Sequence, residues 1–97
     1  MATLHILSHS PFGDSRFASC LRVLGADDAI LLTGDAVHAL QPETAPAKAL
    51  NELQQPLFVL EEDQQARGIP GQYGVTALDY SGFVDLTVRY AKVNSWL

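Results

Sequence analysis

The chain has 97 residues, 47% of them hydrophobic and 18% charged, with six basic against eleven acidic side chains for a formal charge of −5. At this length residues 1–97 are expected to form one domain that buries roughly 65% of its unfolded surface, with no room for a second core. The bases Arg16, Arg22, Lys48, Arg67, Arg89 and Lys92 are scattered, which disfavours a phosphate backbone as partner, since its neutralisation needs clustered Lys and Arg. No apolar run approaches the ~20 residues that span a bilayer. The opening Met1-Ala2-Thr3-Leu4-His5-Ile6-Leu7 has no basic stretch of the secretory kind. With a single cysteine, the expected setting is the reducing cytoplasm.

In chain order, Thr3 to Ser8 reads as a strand buried on both sides, with Leu4 and Ile6 on one face and Leu7 on the other. Asp14 is placed to cap a helix running to Leu24, whose apolar positions Phe17, Cys20, Leu21 and Leu24 follow i, i+3, i+4 and i+7, with Gly25 as the stop. Ala29 to Thr33 is a second buried strand, left through Gly34-Asp35. Thr44 to Leu53 is helical, with Pro46 tolerated in the first turn and Pro56 beyond its end. Leu57 to Leu60 is the third strand, followed by a brief helix from Glu61 to Arg67 that Gly68 stops. A fourth strand falls near Val75 to Leu78. Ser81 is expected to cap a last helix that gathers Phe83, Leu86, Thr87 and Tyr90 on one face, before a tail ending Asn94-Ser95-Trp96-Leu97. Short strands alternating with helices predict an α/β domain of three layers, with a mostly parallel sheet of four to five short strands flanked by helices.

In such sheets reacting groups collect at the carboxyl ends of the strands. Three loops qualify, Ser8 to Asp14, Thr33 to Ala36, and Glu61-Glu62-Asp63. None has the glycine spacing of a phosphate loop. The acidic triplet reads first as a solvated helix start that complements the helix dipole. His5, His9 and His38 match no common metal spacing, so no metal and no cofactor are expected, and each reads as a satisfied structural histidine, His5 inside a strand and His9, in the loop after it, the one best placed to meet a partner's thiol. A triad of Ser8 or Ser10 with His9 and Asp35 has no nucleophile elbow behind it.

Cys20 is the one sulfur nucleophile. A reactive thiolate needs exposure and a helix N-terminus or a cation nearby. Cys20 lies well inside its helix on the apolar stripe, where a free cysteine acts as a small hydrophobe, and Arg16 is the one neighbour in sequence that favours a thiolate. Packing and sulfur chemistry both stay open at this point.

The stretches Leu4-His5-Ile6-Leu7-Ser8-His9-Ser10-Pro11-Phe12, Leu31-Leu32 with Asp35-Ala36-Val37, Leu60-Glu61-Glu62-Asp63 with Ala66-Arg67-Gly68, and Asp79-Tyr80-Ser81-Gly82-Phe83-Val84-Asp85-Leu86-Thr87-Val88 together resemble the TusB/DsrH family of the DsrE/DsrF/DsrH-like superfamily. The resemblance spans almost the whole chain in the same order. It implies a subunit of a sulfur-relay complex that joins TusC/DsrF-like and TusD/DsrE-like subunits in a heterohexamer and meets upstream and downstream sulfur carriers. In the Tus version persulfide sulfur ends as the 2-thio group of the wobble uridine in transfer RNA; in the Dsr version the complex serves dissimilatory sulfur oxidation. The main sulfur-accepting cysteine of the family lies on the TusD/DsrE subunit, which makes this chain a non-catalytic or accessory subunit with Cys20 as a candidate auxiliary persulfide carrier. Phe12, Tyr73 and Trp96 are candidate subunit contacts. A free-standing homomeric domain with a small ligand at the strand ends is the reading from a different class.

Overall fold

The computed structural model describes residues 2–72 and 74–96. Five strands, β1 (Thr3–Leu7), β2 (Ala29–Leu32), β3 (Leu57–Leu60), β4 (Val75–Leu78) and β5 (Lys92–Trp96), form one sheet in the order β4-β3-β2-β1-β5. Every pairing is parallel, as the α/β alternation predicts. The helices are α1 (Arg16–Val23), α2 (Ala45–Asn51), α3 (Glu61–Ala66) and α4 (Tyr80–Arg89), with a 3₁₀ segment at Gly34–Leu40 between β2 and α2.

The alternation of side chains along parallel strands divides the core in two. Leu7, Ile30, Leu32, Leu57 and Val59 face Phe17 and Cys20 of α1, Val37 and Leu40 of the 3₁₀ segment and Leu50 of α2. On the opposite face Leu4, Ala29 and Leu31 meet Leu86 of α4, with Ile6, Phe58, Leu78, Phe83 and Tyr90 partly buried around them. The predicted split of β1, with Leu4 and Ile6 on one face and Leu7 on the other, is therefore present. All four residues of β2 are buried, which explains why that segment reads as an unbroken apolar run.

Several boundaries differ from the sequence expectation. The tail is a strand: β5 pairs with β1 from Thr3↔Lys92 to Leu7↔Trp96, and its polar, largely exposed side chains hide that pairing from any apolar pattern. The 3₁₀ segment fills what reads as a loop, burying Ala36, Val37, Ala39 and Leu40. α4 starts one residue before Ser81, because the Asp79 carboxylate accepts the Gly82 N–H at 2.8 Å and is the true cap. α1 begins at Arg16 behind Ser15, which makes no side-chain cap bond. Asp14, the predicted cap, instead accepts the Arg16 N–H at 2.8 Å and pairs with its guanidinium. Thr44, by contrast, caps α2 by accepting the Ala47 N–H at 3.3 Å, with Pro46 in the first turn as expected.

Candidate functional site at the strand ends and beneath α1

At the carboxyl ends of the strands the acidic groups are used to join loops. Thr33 follows β2 and donates both its N–H and its hydroxyl to the Leu7 carbonyl, each at 2.9 Å. Gly34 takes a left-handed φ of +50°, and a Cβ there would sit 3.3 Å from the Ser8 carbonyl oxygen, so only glycine passes this corner without strain. Its N–H donates to Asp63 Oδ2 at 2.7 Å. Arg67, one turn further along α3, donates through Nε to Asp35 Oδ1 at 3.1 Å and through Nη1 to the Asp63 carbonyl at 3.3 Å. Of the acidic triplet, Glu61 and Glu62 are exposed, as a solvated helix start requires, whereas Asp63 turns inward to the 3₁₀ segment. The i, i+4 spacing of Asp63 and Arg67 was the available sequence signal for this knot.

His9 is exposed, and its Nδ1 lies 3.5 Å from Ser8 Oγ, while Asp35 is engaged by Arg67. Ser8 and His9 are thus neighbours, while the described contacts of Asp35 are with Arg67 and none joins it to His9. Among the described residues no group of three or more His, Cys, Asp and Glu is placed to hold a metal ion. Beside this end of the sheet, an apolar groove of about 510 Å³ runs between α1 and α2, lined by Phe12, Phe17, Leu21, Ala45, Pro46 and Ala49. A larger depression of about 830 Å³ lies at the opposite end, near Leu50, Pro56 and Leu57. Two of its amides are committed to the fold, Gln55 to the Gly25 carbonyl and Gln72 to the Leu40 carbonyl.

Beneath α1 the structure places Cys20 at 0% exposure in the core. Its thiol is pushed up to about 11, first by burial and then by the negative charge of Asp28. A thiol in this state is protonated at neutral pH and holds almost no nucleophilic thiolate. Arg16, the cation that favoured reactivity in the sequence, is turned to Asp14.

The same layer holds a polar chain that sequence reasoning missed. His5 is buried, as predicted for a structural histidine, and its Nε2 lies 3.0 Å from Asp28 Oδ2. The indole N–H of Trp96 donates to His5 Nδ1 at 3.1 Å. Asp28 also accepts the Gly25 N–H at 2.8 Å and the Thr3 N–H at 2.9 Å. Burial pushes the Asp28 carboxyl up, but the N–H of Gly25, the imidazole of His5 and the N–H of Thr3 outweigh it and hold the group below the usual carboxylate range. The partners of His5 lie 23 and 91 residues away, so no local pattern announces them. Trp96, a candidate subunit contact in the sequence, is partly buried against the core. Phe12 is exposed, and Tyr73 lies outside the described residues.

Comparison with known proteins fits this architecture to a family. The family model described as DsrH like protein matches residues 9–93. The chain belongs to the DsrH family. Protein TusB of Yersinia pestis (strain Pestoides F) is 39% identical to it over 95 residues, covering 96% of this chain and 99% of that protein. Protein TusB of Yersinia pseudotuberculosis serotype O:1b (strain IP 31758) matches to the same extent. Among solved structures, the ychN protein from E. coli superposes with a TM-score of 0.72 at 19% identity, covering 99% of this chain and 100% of that one. This last likeness shows the fold: a parallel five-stranded sheet between helices. The DsrH family thereby accounts for the sequence resemblance across the strands and the turns between them.

Proposed function

We propose that this chain acts as one domain and as an accessory subunit of a cytoplasmic sulfur-relay complex. Its partners there are TusC/DsrF-like and TusD/DsrE-like chains, and the complex passes persulfide sulfur between carrier proteins toward 2-thiolation of the wobble uridine in transfer RNA. The observation that supports this most is the 39% identity to Protein TusB over nearly the full length of both chains. The site geometry supports an accessory part for the chain. Its one cysteine is enclosed by the core with its thiol pushed up to about 11, which supports a packing role for Cys20 and an obligatory sulfur carrier on a partner chain. The acidic balance of −5 suits protein partners better than a nucleic acid.

The test is co-expression with the two partner chains, followed by mass spectrometry of every cysteine after sulfur loading and by measurement of wobble-uridine thiolation in a strain lacking this chain. A stable three-component complex, persulfide on a partner cysteine and lost thiolation are expected. Thiolation unchanged in the deletion strain would sink the proposal. Cys20→Ser should leave sulfur loading of the complex unchanged; a clear loss would instead support Cys20 as an auxiliary persulfide site, in the manner of the sulfur-oxidation reading.

A further inference from the structure

Trp96 is the only tryptophan of the chain, and it ends the edge strand β5 opposite Leu7 of β1. The four residues before it in β5 are exposed, so Trp96 is the side chain that fastens this strand to the core. An indole nitrogen only donates. The 3.1 Å contact from Trp96 Nε1 therefore requires the lone pair of His5 Nδ1. The imidazole proton then sits on Nε2 and is donated to Asp28, 3.0 Å away. Asp28 is fixed in place by the N–H groups of Gly25 and Thr3. The chain Trp96, His5, Asp28 is thus complete for one protonation state of His5, the neutral imidazole with its proton on Nε2.

We propose that His5 is a proton-operated latch on β5: uptake of a solvent proton at Nδ1 turns that nitrogen from acceptor to donor, expels the Trp96 indole and frees the end of the edge strand. The protonated imidazole stays behind, paired through Nε2 with the Asp28 carboxylate. Protonation puts a positive charge on the donor of a bond whose acceptor is already a carboxylate, and this added attraction compensates for the lost indole contact. The surroundings on each side support this outcome. From the start of β2 the facing group is Asp28, with Asp27 beside it exposed to solvent. On α1 the buried Cys20 thiol feels the charge of Asp28, while Arg16 and Arg22 of that helix bond to Asp14 and Ser19. From β5 the residue opposite His5 is Asn94, and Lys92 lies opposite Thr3 and is exposed. No cation on these elements meets the ring in the described contacts, and one carboxylate does.

A single tryptophan makes the latch directly observable. In the intact chain labelled with nitrogen-15, the one indole N–H signal and the His5 ring signals are followed as pH is lowered from about 8 to about 5. The indole signal is expected to shift, and its exchange with solvent to accelerate by about tenfold or more, at the midpoint of the His5 titration. Far-UV circular dichroism should stay unchanged over that step. His5→Gln should give an indole signal that ignores pH. Should that variant not fold, exchange of the Val93 to Trp96 amides in the unsubstituted chain serves instead, and it should accelerate at the same midpoint. An indole that stays protected while His5 titrates, or a His5 that takes no proton until the chain unfolds, overturns the proposal.

Discussion

Burial decides the chemistry of the one thiol in this protein. Because the Cys20 thiol moves from 9.0 up to about 11 in the folded chain, the native state keeps its proton longer than the unfolded one. The associated stability is fully present below pH 9 and is lost as pH rises through about 11, amounting to about 3 kcal/mol at about 1.4 kcal/mol per unit. Cys20→Ala should remove that part of the alkaline slope, which a comparison of urea midpoints of the two proteins between pH 8 and pH 11 would show. The same burial predicts that a thiol reagent labels the native chain at neutral pH at least about a hundredfold more slowly than the unfolded chain. Asp28 works in the opposite sense. Its folded carboxyl is held low by the N–H groups and His5 that overcome desolvation, so its contribution is present above its unfolded pKa and disappears as pH falls through its folded value. Asp28→Asn should cost about 2 to 4 kcal/mol near neutrality and flatten the acid side of the stability profile.

At the scale of elements, legibility followed the range of the interactions. α2 was readable because Thr44 and Pro46 mark its start within its own sequence, and β2 because it is apolar throughout. The cap of α4 is Asp79 and not Ser81, since both are residues that can accept a hydrogen bond from the first turn and only the backbone path decides between them. Asp79→Ala should destabilise the chain by about 1 kcal/mol, whereas Ser81→Ala should leave the urea midpoint nearly unchanged. β5 was unreadable as a strand because hydrogen bonds to β1 create it, and its side chains remain in water. The corner at Gly34 combines a positive φ with a close approach to the Ser8 carbonyl. Gly34→Ala is expected to lower stability by about 1 to 2 kcal/mol and to loosen the Asp63 contact, visible as faster exchange of the residue 34 amide.

For the molecule as a whole, the order β4-β3-β2-β1-β5 sets an asymmetry. The chain leaves β4 at one edge and must reach β5 at the other, about 19 Å away across four strand spacings, and α4, with ten residues, spans about 15 Å. One short helix packs on this face, and Leu86 is its one fully buried anchor among the described residues. The opposite face is covered by α1, the 3₁₀ segment and α2 together. Leu86→Ala should cost about 3 kcal/mol and, in native-state hydrogen exchange, expose α4 ahead of the rest. By itself the sequence determined the α/β alternation, the two-sided burial of the inner strands, the structural place of His5 and the family, because apolar spacing, caps and turn residues act within a few positions of one another. The fifth strand, the Asp63 and Arg67 knot, the Trp96, His5, Asp28 chain and the protonated state of Cys20 emerge in the folded chain alone. Each of these depends on groups that the sheet brings together from distant parts of the chain, and on how much water is left around them.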